Sequence, residues 1–227
     1  MRRRHALVSF LVLAPALGTA HIAPAAPARP PPAQPRPAPA APQLPRIDLA
    51  AVPEPCRPLA KQAVAPNVSA ALTARIALAG CMADRAIAPL ALCDCAASIV
   101  EVDAAVAPAL AVLDDAISAA DPANQVLGEH AEGQLYLGFT TRLLATLPRL
   151  EPGATAADIA LRDMRKQTLE AQLAPWREAA MASFQHVVDA AKAHPELATN
   201  PAVTAAVRDS QQRLAAETAD RPAPTAS

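Results

Sequence analysis

A proline-rich segment near the amino terminus limits where this chain can fold. Between residues 24 and 45, ten of 22 positions are proline. Proline lacks a backbone N–H and fixes its φ angle, so a run this dense forms neither a helix interior nor a central strand. It favours an extended polyproline rod that rises about 3.1 Å per residue. We therefore expect the packed part of the chain to follow this segment.

The residues that precede the proline-rich segment have the pattern of an export signal. Three arginines at 2–4 are followed by an apolar stretch at 6–17, and Gly18 and Ala20 are small residues of the kind that a signal peptidase recognises. The apolar stretch is shorter than the ~20 residues that span a bilayer. This favours a cleaved signal over the alternative, a retained membrane anchor.

These patterns predict a domain organisation and a location. We expect a periplasmic or secreted bacterial protein, with no membrane span after the signal is removed. The predicted parts are a signal peptide at 1–20, a disordered Pro/Ala-rich spacer at 21–55, a helical domain at 56–218 and a disordered tail at 219–227.

The composition of the predicted domain indicates an all-α fold. Aromatic residues make up 2% of the chain, it has six glycines, and no run alternates β-branched with polar residues. Asn67, Asp121, Thr155 and Asn200 are expected helix N-caps, and Asp158 would complete a capping box with Thr155. The prediction is a bundle of five helices, at 67–86, 89–119, 122–147, 155–193 and 200–218.

The apolar residues of these helices distinguish the third helix from the others. The second and fourth helices each carry one apolar stripe, and Pro108 and Pro175 are expected to bend or break them. The third helix is apolar nearly all round from residue 135 to 147. It is either the central helix or a face for a protein partner or a second copy. Its glycines, Gly128, Gly133 and Gly138, are expected to let neighbouring helices approach.

Four cysteines, Cys56, Cys81, Cys93 and Cys95, are the most specific chemical feature. An even number of cysteines in an exported protein predicts two disulfides. If Cys93 and Cys95 lie on a helix, their side chains point in nearly opposite directions and do not pair with each other. Cys81 is then expected to pair with one of them, and Cys56 with the other.

Alternative roles for the cysteines are a thiolate metal site or a redox pair. Structural zinc sites prefer paired cysteines with two to four intervening residues, which this chain lacks. A redox pair of the common kind is Cys-x-x-Cys at a helix start after a strand, and that motif is also absent. We therefore predict no metal and no cofactor.

One polar cluster on the third helix mixes an imidazole with carboxylates, and it consists of Glu129, His130, Glu132 and Gln134. His130 and Gln134 are four residues apart and share a helix face. The cluster lacks a second ligand set or a partner motif such as His-Glu-x-x-His, so a solvated face is the simpler interpretation. The alternative function is a metal- or small-ligand-binding bundle that uses this cluster or the cysteines.

The charge pattern limits the classes of partner. Residues 82–132 carry nine acidic side chains against one basic residue, Arg85. This balance argues against nucleic acid, because phosphate binding needs a basic surface. Asp103 and Asp114 are expected to meet Arg162, Arg165 or Lys166 of the fourth helix. With no catalytic motif in the chain, we predict an exported, non-enzymatic helical bundle that binds another macromolecule or has a structural role.

Overall fold

The computed structural model describes residues 44–119 and 121–220, and the described chain is helical without a strand. The predicted signal peptide, the spacer as far as residue 43 and residues 221–227 lie outside this range. The helices are α1 (Arg57–Gln62), α2 (Val68–Ile87), α3 (Ala96–Ala119), α4 (Pro122–Leu144), α5 (Ala156–Ala193) and α6 (Pro201–Asp220). Short 3-10 turns lie at Glu54–Cys56 and Pro195–Thr199.

The all-α prediction is confirmed, and the four predicted caps act as expected. The side-chain oxygens of Asn67, Asp121 and Asn200 accept backbone N–H groups in the first turns of α2, α4 and α6. Thr155 and Asp158 form the predicted capping box, because each side chain accepts the backbone N–H of the other. Local side-chain chemistry therefore fixes where four of the helices start.

Two parts of the fold differ from the predicted map. The helix α1 was not predicted, so the described residues have six α-helices instead of five. The second predicted helix starts at residue 96 instead of 89, and residues 88–95 form a loop. The packed chain also extends into the predicted spacer, because Val52 is buried in the main core and buried Arg75 donates a hydrogen bond to the carbonyl of Pro45.

The helix α4 lies at the centre of the bundle. It contacts α2, α3, α5 and α6, and most of its side chains are buried or half-buried. The main core lies among α1 to α5, and a smaller cluster, Val126, Val187, Val203 and Ala206, joins α4, α5 and α6. Of the two interpretations of this apolar helix, the structure supports a central one.

Two of the three glycines of α4 allow close helix approach. A Cβ on Gly133 would lie 2.6 Å from Cε1 of Phe184 in α5, and one on Gly128 would lie 2.7 Å from Cγ1 of Ile117 in α3. A Cβ on Gly138 would have no neighbour within 4 Å. Close packing therefore explains the first two glycines and does not explain Gly138.

The two internal prolines leave their helices continuous, since Pro108 lies inside α3 and Pro175 inside α5. Among the described helices, α3 is long and apolar enough to cross a membrane by length and composition alone. We had expected no such segment after the signal. Its Val102, Val106 and Leu113 are buried in the bundle, while 28% of its apolar window is buried overall.

Candidate functional site

The predicted polar cluster of α4 separates into two groups on different faces of the helix. His130 and Gln134 point toward α6, where both contact Asp209. Glu129 and Glu132 point toward α5, where they contact His186 and Ser183 respectively. Consecutive residues of a helix are about 100° apart and point to different faces, so the four side chains do not act as one ligand set.

The group toward α6 is a hydrogen-bonded network centred on Asp209. One oxygen of this carboxylate, Oδ2, lies 2.9 Å from Nε2 of His130 and receives hydrogen bonds from Nε2 of Gln134 at 2.6 Å and Nε of Arg213 at 2.8 Å. Burial alone would raise the pKa of Asp209, but the bonds from Arg213 and His130 outweigh it and lower the pKa. This network joins α4 to α6 and engages Nε2 of His130.

The group toward α5 lines an acidic cleft of about 460 Å³ formed by α3, α4 and α5. The hydroxyl of Ser183 donates to Glu132 at 2.8 Å, and Nδ1 of His186 lies 3.5 Å from Glu129. Burial raises the pKa of Glu132, the Ser183 bond opposes this, and the charges of Glu129 and Asp114 raise the pKa further. Burial of Tyr136 nearby, together with the Glu132 charge, raises its pKa to about 12.

The carboxylates that line the acidic cleft are expected to attract cations weakly. Asp114 also faces it, and burial followed by the neighbouring charge of Asp115 raises the pKa of that carboxyl. Across the described residues, no three histidine, cysteine or acidic side chains are arranged to hold a metal ion. The cleft thus concentrates negative charge without a defined coordination site.

The four cysteines form two pairs, but the pairing differs from the expectation. Cys56 pairs with Cys81, with their Cα atoms 5.8 Å apart, and Cys93 pairs with Cys95 at a Cα separation of 5.3 Å. Our expectation that Cys93 and Cys95 do not pair was wrong because it assumed a helix through residue 95. The helix α3 starts at residue 96, so both cysteines lie in the preceding loop, where the chain can turn their side chains together.

The ion pairs between the acidic segment and α5 also differ from the expectation. Arg165 meets Asp94, with Nε 2.8 Å from Oδ2, instead of Asp103 or Asp114. Arg162 donates to the carbonyl of Pro148, and Lys166 lies 3.7 Å from Glu170 on its own helix. The loop before α3 therefore contacts α5 through Asp94.

A feature that the sequence analysis missed is the exposed start of α5. No residue from 156 to 168 is buried, although this part of the helix is more than three turns long. Leu161 is 52% exposed and Met164 is 58% exposed. We refer to residues 156–168 as the α5 extension. The sequence held one sign of this exposure: the apolar stripe of the fourth predicted helix starts at Leu169, although the helix itself starts at residue 155.

The α5 extension borders a groove of about 280 Å³ against the loop that follows α4. Leu150 and Leu161 supply apolar surface to the groove. Its charged lining is mixed, with three arginines and two acidic residues: Arg149, Arg162, Arg165, Glu151 and Asp158. The extension also carries Ala157, Leu161 and Met164 at positions i, i+4 and i+7, which place them along one side of the helix. The α5 extension therefore presents an exposed apolar stripe that is bordered by charges of both signs.

Comparison of the chain with protein-family models, with curated proteins and with solved structures gives no match. The candidate sites are therefore defined by their own geometry.

Proposed function

We propose that this protein is an exported, non-enzymatic helical bundle that binds a protein partner through the α5 extension. The observation that carries the proposal is the complete lack of buried residues from 156 to 168, combined with the exposure of Leu161 and Met164. Export is supported by the signal-like pattern at residues 1–20 and by two cysteine pairs, which are typical of oxidising compartments.

The exposed stripe fits a recurring mode of protein recognition. A helix commonly docks by laying anchors at i, i+3, i+4 and i+7 into an apolar groove of its partner. Ala157, Ala160, Leu161 and Met164 have this spacing and lie in solvent. The small alanines allow close approach, and the two larger side chains supply the anchors.

The charge of the α5 extension further defines the partner. At about 100° per residue, Asp158 and Arg165 lie on one side of the stripe and Asp163 lies on the other, so a partner that complements it carries charges of both signs at the rim of its apolar groove. The extension is exposed on nearly all sides and is about 20 Å long. A partner can therefore surround it instead of contacting one flat face. We commit to a protein with an apolar groove that is rimmed by charges of both signs as the occupant.

The binding experiment compares two variants of the full exported chain. The double variant Leu161→Ser, Met164→Ser removes the anchors, and Val100→Ser is the control, since Val100 is 68% exposed on α3 and is distant in sequence from the stripe. Partners from the host envelope are captured, identified, purified and measured against each variant. We expect one protein that binds wild type and Val100→Ser equally and the double variant about tenfold or more weakly, as loss of interface anchors does.

Two outcomes would contradict the proposal. A purified partner that binds the double variant as tightly as wild type would exclude the stripe as its docking site. Light scattering that shows a wild-type dimer and a monomeric double variant would make a second copy of this chain the occupant, in place of a different protein.

A further inference from the structure

The two cysteine pairs differ in what surrounds them. Cys56 is fully buried in the main core, and its bond to Cys81 spans a sequence separation of 25 residues. Cys93 is exposed, Cys95 is half-buried, and their bond encloses a single residue. A disulfide stabilises mainly by restricting the unfolded chain, and this effect grows with the length of the closed loop. Loop closure therefore explains the first pair far better than the second.

The second pair lies at the amino end of a long helix. Cys95 directly precedes α3, and its carbonyl accepts the backbone N–H of Ser98 at 3.1 Å. The amino end of a helix carries partial positive charge and stabilises a thiolate there. The common Cys-x-x-Cys motif is absent from this chain, but the helix start that it requires is present next to a Cys-x-Cys pair.

A buried serine contacts both sulfurs. The hydroxyl oxygen of Ser98 accepts the backbone N–H of Cys93 at 2.8 Å and lies 3.2 Å from Sγ of Cys93 and 3.8 Å from Sγ of Cys95. Disulfide sulfurs carry no hydrogen, so the serine O–H is the donor toward sulfur. Ser98 is 1% exposed, which fixes the hydroxyl in this position. It is placed to donate to a sulfur that becomes negatively charged.

The charge of Asp94, the residue between the two cysteines, is neutralised by Arg165 of α5. The carboxylate of Asp94 would oppose a neighbouring thiolate by charge repulsion. Both of its oxygens face Arg165, at 2.8 Å from Nε and 3.2 Å from Nη2. The positive guanidinium offsets the carboxylate charge next to the sulfurs.

We propose that Cys93 and Cys95 form a redox-active pair that exchanges its disulfide with an external dithiol, while the Cys56–Cys81 bond stays intact. An external thiolate attacks Sγ of Cys93, the exposed residue of the pair, which forms a mixed disulfide and releases Cys95 as a thiolate at the start of α3. The second external thiol, as its thiolate, then attacks the mixed disulfide and releases Cys93. The external dithiol is oxidised to a disulfide, and the pair gains two electrons and two protons.

The first experiment establishes which pair is reduced more readily. The oxidised full chain is equilibrated with graded ratios of reduced to oxidised glutathione, quenched, alkylated and mapped by mass spectrometry. We expect Cys93 and Cys95 to become alkylated at ratios that leave Cys56 and Cys81 bonded. Simultaneous reduction of both pairs, or a starting map in which Cys93 or Cys95 is bonded to Cys56 or Cys81, would overturn the proposal.

The second experiment measures exchange with a dithiol directly. A reduced synthetic peptide with two cysteines is mixed with the oxidised chain, and with the variant Cys93→Ser, Cys95→Ser as the control. The expected result is one peptide disulfide formed for each Cys93–Cys95 bond lost, with no peptide oxidation by the control variant. A peptide that stays reduced beside an intact wild-type pair would contradict exchange.

A third experiment tests the role of Ser98 and includes a control variant on the same helix. In the reduced chain, Ser98→Ala is expected to slow iodoacetamide alkylation of Cys95 several-fold at neutral pH, because the leaving thiolate loses its donor. Ser118→Ala, at the exposed far end of the same helix, should alkylate at the wild-type rate. Equal rates for both variants, with circular dichroism that shows folded protein, would remove Ser98 from the mechanism.

Discussion

The two parts of α5 belong to one continuous helix and are held in place by different forces. From residue 169 onward the helix buries one stripe against the bundle, with Leu169, Leu173, Ala180, Phe184 and Val187 almost inaccessible to solvent. The α5 extension, at 156–168, buries none of its residues. It is held by the Thr155–Asp158 capping box and by polar contacts from Arg162 and Arg165.

The difference shows how much of a helix can persist without burial. Isolated helices of about 13 residues are marginal in water, because nucleation is costly. The packed part of α5 supplies that nucleus, and the cap stabilises the opposite end. The extension therefore remains helical while its apolar side chains stay available for a partner.

The largest expected effect comes from the same substitution made in both parts. Leu173→Ala should lower the free energy of unfolding by about 2 to 5 kcal/mol, because it leaves a cavity in the core. Leu161→Ala, twelve residues earlier on the same helix, should change it by less than about 0.5 kcal/mol. Urea unfolding followed by circular dichroism measures both. Similar losses for the two variants would mean that the extension is packed in solution.

The second-largest effect is expected from substitutions that test the contact between α4 and the packed part of α5. Gly133→Ala introduces a methyl group against the buried ring of Phe184, and overpacking of this kind should cost about 1 to 3 kcal/mol. Gly138→Ala has open space and should gain up to about 1 kcal/mol from helix propensity. The two variants are compared by thermal unfolding. A stabilised Gly133→Ala would show that the helices are farther apart than the structure places them.

A smaller effect is expected at the cap of the α5 extension. Thr155→Ala removes the side-chain acceptor at the start of the helix and should cost about 1 kcal/mol. Hydrogen bonds from the side chain and backbone of Thr155 lower the pKa of Asp158. A lowered pKa in the folded state contributes stability above the unfolded-state pKa, and that contribution is lost as the pH falls through the folded-state pKa.

The pH dependence of the Thr155→Ala effect shows whether the lost stability comes from the cap or from a general loss of stability. The difference in unfolding free energy between wild type and Thr155→Ala should be full near pH 7 and should shrink below about pH 4. Unfolding measured across this range checks the expectation. A difference that is constant with pH would show that Asp158 does not contribute through its charge.

The smallest effect is expected at the ion pair that joins the α5 extension to the loop before α3. Arg165→Gln removes a partly exposed pair with Asp94 and should cost less than about 1 kcal/mol. The effect should decrease in high salt, because salt screens exposed charges. Lys192→Gln, which removes an exposed pair with Asp189 in the packed part of α5, is the matched control. A salt-independent loss at Arg165 would indicate a packing role instead.

The sequence predictions succeeded where the interacting residues are neighbours in the chain and failed where they are far apart. Asn67, Asp121, Thr155 and Asn200 were correctly assigned as caps, because a cap requires only its own residue and the next two or three. The start of α3 was placed too early, because residues 88–95 are held in a loop by Ser98 and by Arg165 of a distant helix. The error in the cysteine pairing followed from that helix boundary.

For the candidate sites, the sequence predicted the residues and the tertiary structure decided how they group. The sequence identified the four cysteines and the polar residues of α4, since their chemical types are visible in the chain. Their grouping was not visible, because the partners that separate Glu129 and Glu132 from His130 lie on α5 and α6. The exposure of the α5 extension was likewise missed, because a helix with a weak stripe can be covered or left bare by its neighbours.

The sequence by itself determined that the packed chain is helical and where four of its helices start, because composition and capping act within a few residues. Tertiary structure decided which cysteines meet, that α4 occupies the centre and that the first three turns of α5 remain exposed. These features depend on contacts between residues far apart in the chain. Such contacts form only when the buried stripes of α2 to α5 have been brought together, and periodicity within one helix cannot specify them.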